Sequence, residues 1–151
     1  IARLREAFPS TFIGIKDSSG KLESMQAFAS SFEDFSVLAG ADPLMLPLLK
    51  SGGAGCITSC SNLIARPLRV VFDHWFDDGE AARVEAAQKT ISAWRDLSNA
   101  YVQIPTIKAM LVRRRNHAGW ARVRPPLVEL TQAEQANVWS QMERLELDEH
   151  D

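Results

Sequence analysis

The chain has 151 residues, 46% of them hydrophobic and 24% charged, which is ordinary material for a packed globular domain. Its net charge of −2 excludes a general affinity for nucleic acid or anionic membranes, and no apolar run approaches the ~20 residues of a membrane span. Two cysteines favour a reducing, cytoplasmic setting, while the lack of a visible secretory signal carries no weight in a chain that starts without an initiator Met.

The first predicted strand runs over 12–16, Phe12-Ile13-Gly14-Ile15-Lys16, and a turn of Asp17, Ser18, Ser19 and Gly20 follows it. A helical stretch over 22–32 leads to a second strand over 35–39. Gly40-Ala41-Asp42-Pro43 then opens a helix over 44–50. Ser51-Gly52-Gly53-Ala54-Gly55 precedes a third strand over 56–59, and a helix over 67–78 comes next. Short apolar strands alternating with amphipathic helices indicate βαβ units and a parallel sheet. Units of roughly 20 to 30 residues suit the fold class of an α/β (β/α)8 TIM barrel, whose chemistry lies at the C-terminal strand ends.

Lys16 stands at such an end. An unpaired ammonium is costly to desolvate, and the usual relief is release of its proton. A lysine treated that way is a nucleophilic amine fit to form an imine with a carbonyl. The competing reading is a strand end that has reached water. The string alone favours the wet end; the repeated strand–helix layout favours the nucleophile. The glycine cluster 52–55 precedes a strand and lacks the Gly-Lys-Ser/Thr ending of a phosphate loop, so a helix C-cap and tight turn are expected there.

The remainder is predicted to be helical. Leu68, Val71, Phe72, Trp75 and Phe76 form an apolar stripe on the 67–78 helix. Val84, Ala87, Ile91, Trp94, Leu97 and Tyr101 repeat in a three-four rhythm over 81–102, the mark of a packed face. Lys108 lies on a helix over 106–115, where it is expected to snorkel to water. Arg113, Arg114 and Arg115 decorate that helix's last turn, where cations favour the macrodipole. Thr131-Gln132-Ala133-Glu134 is a capping box opening the last helix, and the acidic stretch 146–151 is expected to fray. Cys56 and Cys60, read on one strand, lie about 13 Å apart at ~3.3 Å per residue, too far for a disulfide. His74, His117 and His150 have no metal-ligand spacing, and His74 is assigned a surface or interface role.

Five motifs together carry a resemblance. Gly14-Ile15-Lys16-Asp17-Ser18-Ser19-Gly20, Ala39-Gly40-Ala41-Asp42, Gly53 to Asn62, Pro105-Thr106-Ile107-Lys108-Ala109 and Val123-Arg124-Pro125-Pro126-Leu127 resemble, in order, the dihydrodipicolinate synthase/N-acetylneuraminate lyase family. A complete barrel takes about 250 residues. The resemblance therefore implies strands six to eight of the barrel over 1–78 and the C-terminal helical region over 79–151, with the front five units missing. The family's Tyr-Asn-x-Pro proton relay falls in that missing part, and Tyr101 does not match it.

The resemblance implies a class I, Schiff-base aldolase or lyase with Lys16 as the catalytic amine and neither metal nor other cofactor. Its substrates would be pyruvate and an aldehyde such as aspartate semialdehyde. The alternatives are a 4-hydroxy-2-oxoglutarate, 2-keto-3-deoxy sugar acid or N-acetylneuraminate-type aldolase, and a truncated non-catalytic module. A homo-oligomer, a tetramer in this family, is implied as well. Strand alternation puts Phe12, Gly14 and Lys16 on one face, with Ser18 continuing it at a substrate-dependent position. Gly40 is expected to leave room for substrate. Asp42 is either an N-cap before Pro43 or, as in the sialic-acid branch, a contact to sugar hydroxyls. Ile57 is assigned to the imine site through its backbone, Ser59 to the deeper pocket, and Cys56, Thr58 and Cys60 to the helix side.

Overall fold

The computed structural model describes residues 1–145; the acidic stretch 146–151 and His150 lie outside them. After a short helix α1 (Ala2–Ala7), the chain alternates β1 (Gly14–Asp17), α2 (Leu22–Ser31), β2 (Ser36–Ala39), α3 (Met45–Leu49) and β3 (Gly55–Cys56). The helices α4 (Ala65–His74), α5 (Ala81–Ser98), α6 (Gln103–Arg115) and α7 (Gln132–Arg144) complete it. The three strands form one parallel sheet in the order β1-β2-β3. Parallel neighbours need a helical crossover, which α2 and α3 supply.

One face of the sheet is covered. Val37 and Ala39 are fully buried there with Met25 of α2 and Leu48 of α3, and Ile15 packs against them. Phe12 belongs to this helix-side cluster, its ring 5.6 Å from that of Phe35. It therefore does not share the Lys16 face: the strand starts at Gly14, so alternation counted from Phe12 does not apply. Cys60, Leu68, Val71, Ile91, Trp94, Met110 and Val138 centre a larger cluster that joins α3 to α4 through α7. Its residues come from both 1–78 and 79–151.

Several boundaries differ from the periodicity reading. The third strand is Gly55–Cys56, not 56–59: Ile57 N–H still bonds the Ala39 carbonyl at 2.9 Å, and Ser59 then turns helical at φ −75°, ψ −37°. Cys56 and Cys60 therefore share no strand; both are free thiols. Helices α4 and α6 start two and three residues earlier than the sequence indicated, with Pro67 and Pro105 inside their first turns, where a missing N–H costs nothing. Helix α5 ends at Ser98, and Tyr101 sits beyond it, its hydroxyl accepting from Asn137 Nδ2 at 2.8 Å. The apolar stripe after Val71 is not all core, since Phe76 is 70% exposed past the end of α4.

Other local expectations hold. Gly52 (φ +87°) and Gly55 (φ +137°) take the left-handed backbone that closes the turn into β3. Thr131 and Glu134 make both bonds of the capping box. The three arginines occupy the last turn of α6, with Arg113 paired to Glu143 at 2.9 Å and Arg114 donating to the Leu63 carbonyl. Lys108 is not simply snorkelled to water: its ammonium donates to the carbonyls of Arg122 (2.7 Å) and Trp120 (3.5 Å). His74 Nε2 lies 3.4 Å from Arg83 Nη1 on the surface. Among the described residues no helix is long and apolar enough to cross a membrane.

Candidate active site at the C-terminal strand ends

The parallel register pairs Lys16 with Leu38 and Asp17 with Ala39, and places Leu38 beside Gly55. Neighbours in register point the same way. Lys16 and Leu38 therefore share the face opposite the helix-covered one, while Asp17, Val37 and Ala39 point to the helices. Lys16 is exposed and has no hydrogen-bond or ionic partner among the described residues. The desolvated environment expected for Lys16 is not supplied by these residues: on that face the Phe72 ring of α4 lies over Gly55 beside Leu38, at the β3 end of the sheet, and Lys16 stays exposed.

The turn after Lys16 is held from behind. Asp17 is buried, and its Oδ1 accepts from the Ser19 N–H at 2.7 Å, closing an Asx turn. Burial pushes this carboxyl up, but hydrogen bonds from Ser19 and Ser24 outweigh it and hold the group below the ordinary aspartate value. A charge fixed there orients the exit from β1, so Ser18 remains exposed on the Lys16 side.

Gly40 is small for a reason other than substrate space. A Cβ on Gly40 would stand 2.7 Å from the Asp17 carbonyl, 2.7 Å from Ser18 Oγ and 2.8 Å from Ser18 Cα. Its N–H donates to the same Asp17 carbonyl at 2.8 Å. The missing side chain lets the ends of β1 and β2 meet, and Ser18 fills the room that was expected to stay open.

Asp42 is neither a cap nor an open contact. It makes no capping bond, is fully buried, and accepts through Oδ2 from Arg95 Nη1 at 3.3 Å. The capping position before Pro43 is Ala41, so Asp42 stands one residue inside the turn, and its Oδ1 is buried without a hydrogen-bond partner. The same Nη1 donates to Ser59 Oγ at 3.5 Å. Ile57 presents a side chain 53% exposed, whereas Cys60 is fully buried and Thr58 is 8% exposed. Burial, reinforced by the Asp42 charge, pushes the Cys60 thiol up to about 11, and the same two causes raise Cys56. These thiols face the helices and are poor nucleophiles.

The structure thus makes two groups of the expected residues. Ser18 and Gly40 meet at the ends of β1 and β2, in the turn that follows Lys16. Asp42 and Ser59 meet at Arg95, a residue the sequence reading missed. A signal for it was present: Val84, Gln88, Ile91, Arg95 and Ser98 recur at 4-3-4-3 spacing, so three polar residues stand on an inward line of α5. A cavity of about 460 Å³ between Ile104, Lys108 and the segment 122–127 lies away from this constellation, since none of its lining residues belongs to the sheet or its loops.

A family model described as the dihydrodipicolinate synthetase family matches residues 1–145. The chain belongs to this family. It is 35% identical over 134 residues to an uncharacterized DapA-like lyase of Chloroflexus aurantiacus, covering 89% of this chain and 44% of that protein. Identity to the 4-hydroxy-tetrahydrodipicolinate synthase of Bacillus subtilis is 29% over 144 residues, covering 95% and 48%. Among solved structures, dihydrodipicolinate synthase of Cyanidioschyzon merolae with lysine bound superposes with a TM-score of 0.79 at 25% identity, covering 97% of this chain and 48% of that one. A putative dihydrodipicolinate synthase of Thermus thermophilus gives 0.75 at 28%, covering 95% and 49%. The chain therefore spans less than half the length of these family members, with the α/β fold of the matched part.

Proposed function

We propose that this chain contributes strands six to eight (1–78) and the helical region (79–151) of a (β/α)8 barrel. The complete barrel would be a pyruvate-dependent class I aldolase, condensing pyruvate with an aldehyde such as aspartate semialdehyde, and would assemble as a homo-oligomer. One observation carries the reading: Lys16 stands in the last two residues of a parallel strand, exposed and without a partner among the described residues, next to the turn where Ser18 meets Gly40.

The Lys16 amine adds to the ketone carbon of pyruvate, and the carbinolamine loses water to leave a protonated imine. That cation draws electrons from the adjacent methyl carbon, which gives up a proton to form an enamine. The enamine carbon adds to the aldehyde carbon, whose oxygen takes a proton, and water then hydrolyses the imine to free Lys16. On the family resemblance the proton relay lies outside these residues, and the hydroxyl of Tyr101 accepts from Asn137 beyond α5. The Ser18 hydroxyl suits a polar acceptor. A sugar-acid acceptor rests on Ser18 alone, because Asp42 is buried and paired.

The test is borohydride reduction of the complete protein with pyruvate, followed by peptide mass mapping. A pyruvyl secondary amine on the Lys16 peptide is the expected result. An adduct on Lys50 or Lys108 instead, or no adduct, overturns the assignment. The 151-residue chain alone is expected to show no turnover, because loss of acid–base catalysis alone is worth ~10²- to 10⁴-fold.

A further inference from the structure

Polar side chains on the inward line of a helix are costly unless each is bonded. Helix α5 carries three, and all of them reach the loops that follow β2 and β3. Gln88 Nε2 donates to the Pro43 carbonyl at 3.1 Å. Arg95 Nη1 donates to Asp42 Oδ2 at 3.3 Å and Ser59 Oγ at 3.5 Å. Ser98 Oγ accepts from Cys60 Sγ at 3.4 Å and donates to the Arg95 carbonyl at 2.8 Å. Arg95 is the centre of this set, its side chain 22% exposed against a fully buried Asp42.

From this ladder we infer that Arg95 is a positioning residue for the acceptor side of the site. The inference rests on the proposed aldolase reaction and adds a residue to it. Its logic is a division of labour. Lys16 is placed by the β1–β2 backbone register and by the Asx turn of Asp17, neither of which involves α5. The segments 40–43 and 57–60 keep one backbone bond each to the sheet, from Gly40 to Asp17 and from Ile57 to Ala39; beyond those bonds they are anchored to α5 through Arg95, Gln88 and Ser98. Both Arg95 bonds come from one nitrogen, Nη1, which bridges the Asp42 carboxylate and the Ser59 hydroxyl; the planar guanidinium fixes the direction of its N–H groups, whereas an ammonium on a flexible stem does not. Loss of this bridge therefore frees the two loops against each other and leaves the imine lysine where it is.

The test uses the complete protein and three variants. Arg95→Lys keeps a charge beside Asp42. The double variant Arg95→Met with Asp42→Asn removes the pair without stranding a buried carboxylate, a change that by itself is strongly destabilising. Ser59→Ala removes only a hydroxyl, so it keeps the question open if either of the others fails to fold. Each is measured for borohydride trapping of pyruvate on Lys16 and for steady-state kinetics with aspartate semialdehyde, or with glyceraldehyde where the parent prefers it.

Trapping is expected to stay within about twofold of the parent. The acceptor KM should rise roughly ten- to a hundredfold in the two arginine variants, as loss of charge-assisted hydrogen bonds implies, and several-fold in Ser59→Ala, with kcat less affected. Arg95→Lys should recover part of what the double variant loses. An unchanged acceptor KM in folded variants overturns the inference, as does a parallel fall of trapping and turnover, which would mark a merely structural role. No Lys16 adduct in the parent refutes the aldolase reading and this inference with it; an adduct with unchanged KM in the variants refutes this inference alone.

Discussion

Replacing Gly40 by alanine separates packing from substrate space at the strand ends. Gly40 is not among the glycines with positive φ, so its backbone is one that alanine adopts without strain, and any cost must be steric. The new methyl would meet the Asp17 carbonyl and Ser18 Oγ at 2.7 Å and Ser18 Cα at 2.8 Å. Two of those three are backbone atoms that no rotamer change can clear. Overpacking of this kind costs about 1–3 kcal/mol, offset by about 0.4–1 kcal/mol from restricting the unfolded chain. A net loss of about 1–2 kcal/mol follows, or roughly 2–8 °C in melting temperature at this size. Thermal unfolding of Gly40→Ala beside the parent measures it. A variant that melts with or above the parent would refute the steric reasoning and return Gly40 to a substrate-facing role.

Two further outcomes are expected. Glu134 is held below the ordinary glutamate value by the Thr131 N–H and hydroxyl. A depressed folded-state value means that the capping box stabilises above the unfolded glutamate range and loses this contribution as pH falls through the folded value. Melting of the parent and Glu134→Gln should therefore differ at neutral pH and converge in acid; a gap that widens in acid would contradict the sign. Thiol labelling should find Cys56, half-buried, before Cys60, which is fully buried with its pKa pushed up to about 11. Mass analysis after iodoacetamide treatment near neutral pH should show Cys60 modified only on unfolding, and equal rates at the two sites would show that the burial is wrong.

Sequence by itself carried the local and periodic features of this protein. Alternating short strands and amphipathic helices were enough for a parallel sheet, because a two-residue and a 3.6-residue rhythm are properties of the backbone. The glycine turn into β3, the capping box of α7 and the cationic end of α6 are likewise decided by residues within one turn of each other. Lys16 was legible for the same reason: its strand end, turn and motif are contiguous. Tertiary structure decided what depends on residues far apart. Phe12 was counted onto the Lys16 face until Phe35 claimed its ring, and Gly40 was read as open until Ser18 of the neighbouring strand end filled the space. Asp42 followed by Pro43 has every local mark of a cap, yet its partner is Arg95, 53 residues later. The turn starts one residue earlier than the local pattern indicates, with Ala41 at its cap, and only the packing of α5 onto the strand-end loops brings a guanidinium to the buried carboxylate.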